Sequence, residues 1–114
     1  MKDSNSKIWI AEDEGQTPVG QLRVDNEKEG PVFSIIVAPE FQGKGYGTDM
    51  IRMAAGKTFE DSTLKTIHAY VKPDNPASDR AFMNAGFQQN GKVEVKGHEC
   101  LHYLLNRSRY ESLS

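Results

Sequence analysis

The chain holds one cysteine, Cys100, among its 114 residues. A lone thiol excludes an intrachain disulfide and any zinc centre built on a cysteine cluster. An excess of one charge is also missing: 14 Lys and Arg stand against 16 Asp and Glu, a formal net charge of -2. Without a basic surplus there is no electrostatic footprint for a nucleic acid, and near-neutrality argues against a strongly acidic or basic partner. No apolar run approaches the ~20 residues that cross a bilayer. The opening "MKDSNSK" lacks the apolar stretch of a secretory leader. A cytoplasmic protein without membrane contact is expected. The length suits a single domain, 1–114, with one core and with residues 1–6 and 108–114 frayed.

What is present reads as strands first. "KIWIAED" (Lys7 to Asp13), "PVGQLRVDN" (Pro18 to Asn26) and "PVFSIIVAP" (Pro31 to Pro39) are three successive strand candidates, the third so apolar that cover on both faces is expected. Met50, Ile51, Ala54, Ala55, Thr58 and Phe59 then recur at helical spacing. "LKTIHAYVKP" is a fourth strand, with Ile67, Ala69 and Val71 on one face. "NPASDRAFMNAGF" is a short helix with both ends marked: Asn75 as N-cap, Pro76 at the first turn, Gly86 at the stop. Two antiparallel strands follow. The order β-β-β-α-β-α-β-β predicts a mixed α+β domain with a mostly antiparallel sheet and one right-handed crossover that makes its two strands parallel.

Between the third strand and the first helix stands "APEFQGKGYGTDM", with Gly43, Gly45 and Gly47 at alternate positions. A helix N-terminus presents unpaired N–H groups, and glycines let an anion approach the backbone. A pyrophosphate cradle is one reading, with Lys44 adding charge and Gln42 bracing the loop. A strand-to-helix turn that needs positive φ is the other. Asp49 should face away from an anion. The Walker loop is excluded because Lys44 comes too early. The dinucleotide fingerprint is excluded because Thr48 and Met50 occupy its third glycine.

The spacing Q-x-x-G-x-G through Gln42, Gly45 and Gly47 resembles the acetyl-CoA loop of the GCN5-related N-acetyltransferase family. "NPASDRAFMNAGF" resembles that family's second signature, an Asn opening a helix that ends in Gly-Phe. Together they cover roughly Val19 to Leu105. The resemblance implies acetyl transfer from acetyl-CoA to a primary amine, on a small molecule or a peptide, by direct attack and without a metal. It implies a central parallel strand pair splayed for the pantetheine arm. Ile36 and Val37 would offer backbone groups to that arm, and a bulge N–H there would meet the oxyanion. Gln42, Gly43, Lys44, Gly45, Gly47 and Thr48 would surround the pyrophosphate. Asn75, Ser78 and Phe82 would lie along the arm and near the thioester, although N-capping alone accounts for Asn75.

Two departures from the family pattern stand out. Many members carry a Tyr as general acid where this chain has Phe82, and a phenyl ring donates no proton. Ser78, a water or nothing would then protonate the thiolate, whose thiol pKa of about 8.5 makes help dispensable. The base is open: Glu29, with Glu27, sits where several members carry a catalytic carboxylate, yet both also read as solvated loop charges. His68 and Tyr70 could line the cleft or simply pack. His98, Cys100 and His102 alternate like ligands, but a half-exposed strand face explains them. Trp9 reads as core or as a dimer contact. The second departure is at the front, where members usually have a strand and one or two helices walling the acceptor side. Here only polar residues precede the first strand, so a homodimer partner or a missing domain is expected to complete the wall. A non-catalytic CoA-binding or interaction module is the rival reading.

Overall fold

Apolar and polar residues alternate along most of the strands, so most strands bury one edge of their side chains and show the other. The computed structural model describes residues 6–61 and 63–113. It runs β1 (Ser6–Glu12), β2 (Pro18–Glu27), β3 (Gly30–Val37), α1 (Tyr46–Phe59), β4 (Thr66–Val71), α2 (Pro76–Asn84), β5 (Gln88–Val95), β6 (His98–Asn106) and α3 (Arg107–Leu113). A single 3-10 turn, Pro39–Phe41, lies between β3 and α1. The strands form one six-stranded sheet in the order β1-β2-β3-β4-β6-β5. The β3–β4 pair is parallel and the other pairs are antiparallel. This is the expected mixed α+β order with one helix added at the end.

Leu22, Val24, Phe33, Ile35, Ile67, Ala69, Tyr103 and Leu105 from the strands join Ile51, Ala54, Ala55, Phe59 and Phe82 from α1 and α2 in one buried cluster. Tyr110 of α3 packs on the same cluster. The helices therefore cover one face of the sheet. β3 was expected to be covered on both faces, and here the structure differs. Pro31, Phe33 and Ile35 are buried, Ser34 is exposed and Ile36 is 65% exposed. An apolar run reports hydrophobicity, and with all helices on one side only alternate residues are covered.

Both helix signals on α2 are realised. The Asn75 side chain accepts from the Ser78 N–H at 3.2 Å. At the other end Gly86 N–H bonds the Met83 carbonyl and Phe87 N–H bonds the Phe82 carbonyl. With the Phe82 and Phe87 rings edge to face at 5.1 Å, this is a Schellman ending with its hydrophobic contact.

At the end expected to fray, 108–114, Arg107–Leu113 is helical, and Ser114 lies outside the described residues. Residues 1–5 of the other expected frayed end, and the side chain of Ser6, lie outside the described residues. α3 is held by Arg107, whose guanidinium donates to the carbonyls of Leu64, Phe59 and Asp61 at 2.9, 3.0 and 2.7 Å. The same group lies 4.9 Å over the Phe59 ring. Short-range sequence patterns contain none of these contacts, because the partners lie more than forty positions away. Trp9 is half-buried against the core. Among the described residues no helix is long and apolar enough to cross a membrane.

Arg107→Ala leaves three carbonyls without their charged donor. Urea unfolding is expected to show a loss of about 2–3 kcal/mol. A loss below roughly 0.5 kcal/mol would mean that water replaces the guanidinium without cost.

Candidate functional site

β3 and β4 pair through only two rungs, Val32 with His68 and Phe33 with Ala69. Beyond them no ladder joins Ser34–Val37 to β4. On its other side β3 stays in register with β2 as far as Gly20–Val37. The bulge expected at Ile36 and Val37 is thus absent: the unbroken register turns the Ile36 backbone groups toward β2 and those of Val37 toward β4, where Gln42 takes the Val37 carbonyl and divergence of the strands releases its N–H. Backbone groups without a partner in a partly covered slot are ready to bind an extended ligand arm.

The corner beyond β3 supplies the second part. Gly45 is the N-cap of α1 with φ of 89°, and no side chain caps the helix. The first intrahelical bond at this end runs from Asp49 N–H to the Gly45 carbonyl. The N–H groups before it remain available, at the positive end of a 14-residue helix. Gly43 and Gly45 share the left-handed region, and a Cβ on either would meet nothing within 4 Å. Conformation, not space, demands glycine there. Gly47 differs: it is buried, and a Cβ would stand 3.3 Å from that of Ala81 and 3.5 Å from side-chain atoms of Ile35 and Val37. Its task is close packing of α1. The Gln42 amide donates to the Val37 carbonyl at 3.0 Å and ties the loop to the strand. Phe41 and Tyr46 brace the corner edge to face at 5.8 Å.

Strand, corner and α2 enclose a cavity of about 490 Å³, within the range of small-molecule sites. Of the residues singled out in the sequence, Ile36, Val37, Gln42, Gly43, Gly45, Gly47, Thr48, Asn75 and Ser78 line it. Others singled out there do not. Lys44 is exposed outside the lining, and Phe82 is 1% exposed in the core. Glu29 sits in the β2–β3 hairpin. Asp49 is exposed and outside the lining, as its charge requires. The lining also includes Tyr46 and Arg80, a cation on α2 that motif spacing did not single out. Its signal was its place one turn after Asn75.

The face away from the helices carries a different group. Ile67, Ala69 and Val71 are buried under the helices, so His68 and Tyr70 project to the opposite side, where His102 meets them. Burial first, then the charges of Glu29 and Glu27, raises the Tyr70 pKa. Burial, then neighbouring His68, lowers that of His102. Among the described residues no three or more His, Cys, Asp or Glu gather as a metal group.

Fold and corner together define a class. An acetyltransferase (GNAT) domain model matches residues 1–88, and the chain belongs to that family. It is 27% identical over 96 residues to the spermidine N(1)-acetyltransferase of Vibrio cholerae, covering 82% of this chain and 56% of that one. It is 36% identical over 63 residues to the mycothiol acetyltransferase of Nocardiopsis dassonvillei, covering 55% of this chain and 19% of that one. The chain spans about half the length of the spermidine acetyltransferases it matches. Among solved structures, aminoglycoside acetyltransferase AAC(6')-Ib in complex with coenzyme A and kanamycin superposes with a TM-score of 0.83 at 19% identity, over 95% of this chain and 70% of that one. A mutant of the Vibrio cholerae spermidine N-acetyltransferase superposes with a TM-score of 0.77 at 24% identity, over 95% and 69%. These likenesses show the fold.

The lowered His102 pKa has a sign that can be checked. Between the folded pKa and the ordinary value near 6.5 the unfolded chain binds more protons, so stability falls as pH drops through that window. Thermal melts from about pH 7.5 down to roughly 5 are expected to show a smaller decline in His102→Gln than in the wild type. Parallel declines would place the acid sensitivity elsewhere.

Proposed function

We propose that the chain is an acetyl-CoA-dependent N-acetyltransferase domain that acetylates a primary amine by direct attack. The observation that carries this is the continuity of the parted β3–β4 strands with the uncapped α1 N-terminus in one cavity. The donor set suits an anionic, extended carrier: helix N–H groups for a diphosphate, free strand amides for an amide-bearing arm, and Arg80 for a further phosphate. When bound, acetyl-CoA supplies an activated acetyl thioester.

The residues have distinct tasks. Gly43, Gly45 and Thr48 present backbone at the corner, and Gln42 holds the loop in place. Asn75 uses one oxygen lone pair for its cap, which leaves its amide hydrogens for the carrier arm. Of Ile36 and Val37, the Val37 backbone N–H is the one on the slot side and stabilises the developing oxyanion, a contribution of about 10²–10³ in rate for one well-placed donor. Ser78, which lines the cavity, is the hydroxyl available to the departing thiolate. Phe82 serves as core, so no aromatic acid acts from its position.

Relatives named for spermidine, aminoglycoside and kanamycin support a small polyamine-like acceptor over a peptide amine. The acetyl-CoA requirement is met in the cytoplasm, which we take as the setting. On the face away from the helices Ile8, Ile10 and Ile36 are 55%, 60% and 65% exposed. We read that face as the acceptor side, completed by a second copy of the chain or by a further domain. Sedimentation of the 114-residue chain alongside its activity tests this, and full turnover by a dilute monomer would reject it.

Calorimetry with acetyl-CoA followed by thiol release over an amine panel tests the reaction. Gly45→Val adds a β-branched side chain at positive φ and is expected to weaken acetyl-CoA binding at least about tenfold. A folded Gly45→Val protein with unchanged affinity would remove the corner from the site. Binding without turnover on any amine would favour the non-catalytic module.

A further inference from the structure

On the face opposite the helices, His68 Nδ1 and His102 Nε2 lie 2.9 Å apart, with ring planes inclined by 12°. His102 Nδ1 is 3.2 Å from the Asn90 amide nitrogen. His68 Nε2 is 3.1 Å from the Glu29 carbonyl oxygen. An amide NH₂ donates and a backbone carbonyl accepts, so the ends of this chain fix its direction. Asn90 donates to His102, His102 Nε2–H donates to His68 Nδ1, and His68 Nε2–H donates to the carbonyl. Both rings are neutral, and both carry hydrogen on Nε2. Tyr70 lies nearly parallel to His102 with centroids 5.0 Å apart.

The position of the chain matters as much as its bonding. His68 forms one of the two rungs that close the β3–β4 ladder. Tyr70, next on the same face of β4, therefore borders the opening, across from Ser34 and Ile36 of β3. Ile36 also lines the cavity on the far side of the slot. An acyl group threaded from the glycine corner would emerge beside Tyr70, with His102 stacked behind that ring on β6.

We propose that the His102–His68 pair, held by Asn90 and Glu29, is the proton acceptor for the attacking amine on this face. The proposal rests on the acetyl-transfer reading above. The amine nitrogen bonds to the acyl carbon as the carbon–sulfur bond breaks, its electron pair staying on sulfur. A primary ammonium sheds two protons in one turnover: one ends on that sulfur, and the other leaves through the pair. His102 Nδ1 takes it as the exposed Asn90 amide turns to present its oxygen. The His102 Nε2 proton crosses to His68 Nδ1, and the His68 Nε2 proton passes to water at the hairpin.

The titratable and charged groups on this face include Tyr70 on β4, Glu27, Lys28 and Glu29 at the hairpin, His98 and Cys100 on β6, and Asp25 on β2 with its partner Arg23 at 2.9 Å. The charges of Glu29 and Glu27 reach Tyr70, and negative charge there favours a transient imidazolium. Burial and His68 keep His102 neutral at rest, the state a base must hold. Tyr70 and Asn90 act as positioning residues.

The first test is kcat/KM against pH for the wild type, His102→Gln and His68→Gln, with acetyl-CoA affinity measured by calorimetry. His102→Gln is expected to lose about 10²–10⁴-fold near pH 7 at unchanged acetyl-CoA affinity. The deficit should shrink toward roughly pH 10, where the amine deprotonates unaided, and added imidazole should restore part of the rate. His68→Gln should show a smaller loss of the same form. A variant that keeps its rate, or loses one constant factor at every pH without imidazole rescue, overturns the relay. NMR of the ring nitrogens gives a readout free of turnover: both rings in the Nε2–H form and titrating as a coupled pair support it, and independent titration near the ordinary value overturns it. A wild type that binds acetyl-CoA but acetylates no amine brings down the parent reading and the relay together. An active wild type with indifferent variants brings down the relay alone.

Discussion

β3 and β4 meet at Val32–His68 and Phe33–Ala69 and then part. Every unpaired backbone group in a partly covered slot costs on the order of 1–3 kcal/mol unless something bonds it. A fold that keeps such an opening at the middle of its sheet holds a reserve of unmet donors and acceptors. The rest of the molecule is arranged around it. β2 stays in register along β3 and stiffens one wall, β6 does the same for β4, and α1 and α2 close the slot from the side that carries the core.

The glycine corner extends the same logic past the end of the strand. Its three glycines look alike in the sequence and do two different jobs. Gly43 and Gly45 take backbone angles that a side chain resists, turning the chain so that α1 begins with its N–H groups bare. Gly47 takes ordinary angles and packs α1 closely, since a Cβ there would press on that of Ala81 at 3.3 Å. The first job shapes the site; the second seats the helix that forms its roof. Phe82 belongs with the second kind. It stands about two turns along α2 from Asn75, and it packs on the Phe87 and Tyr103 rings.

The sheet has two unlike faces, and under the proposed reaction that asymmetry separates the carrier from the acceptor. Helices bury one face and hold the cavity. The other is open and carries His68, Tyr70 and His102 beside exposed isoleucines. For the reaction proposed above, a slot that passes between strands would present a thioester from one side to an amine arriving from the other.

Much of this was legible beforehand because it rests on local rules. Asn75, Pro76 and Gly86 mark α2 through caps whose partners lie within a few residues. Gln42, Gly45 and Gly47 mark the corner through spacing, and the order of elements requires a parallel crossover. What the sequence left undecided depends on residues far apart along the chain. The one-sided cover of β3, the Arg107 clasp on the end of α1, and the retreat of Phe82 into the core are decided by where the helices pack. The bond between His68 and His102 spans 34 positions; in the sequence one is a cleft candidate and the other one of three alternating ligand-like residues, with nothing to join them. Local chemistry alone determined that a glycine corner with a bare helix N-terminus exists, because capping, turn angles and glycine spacing act over a few residues. Only the tertiary structure decided which side chains surround it, because strand register and helix placement act across the whole chain.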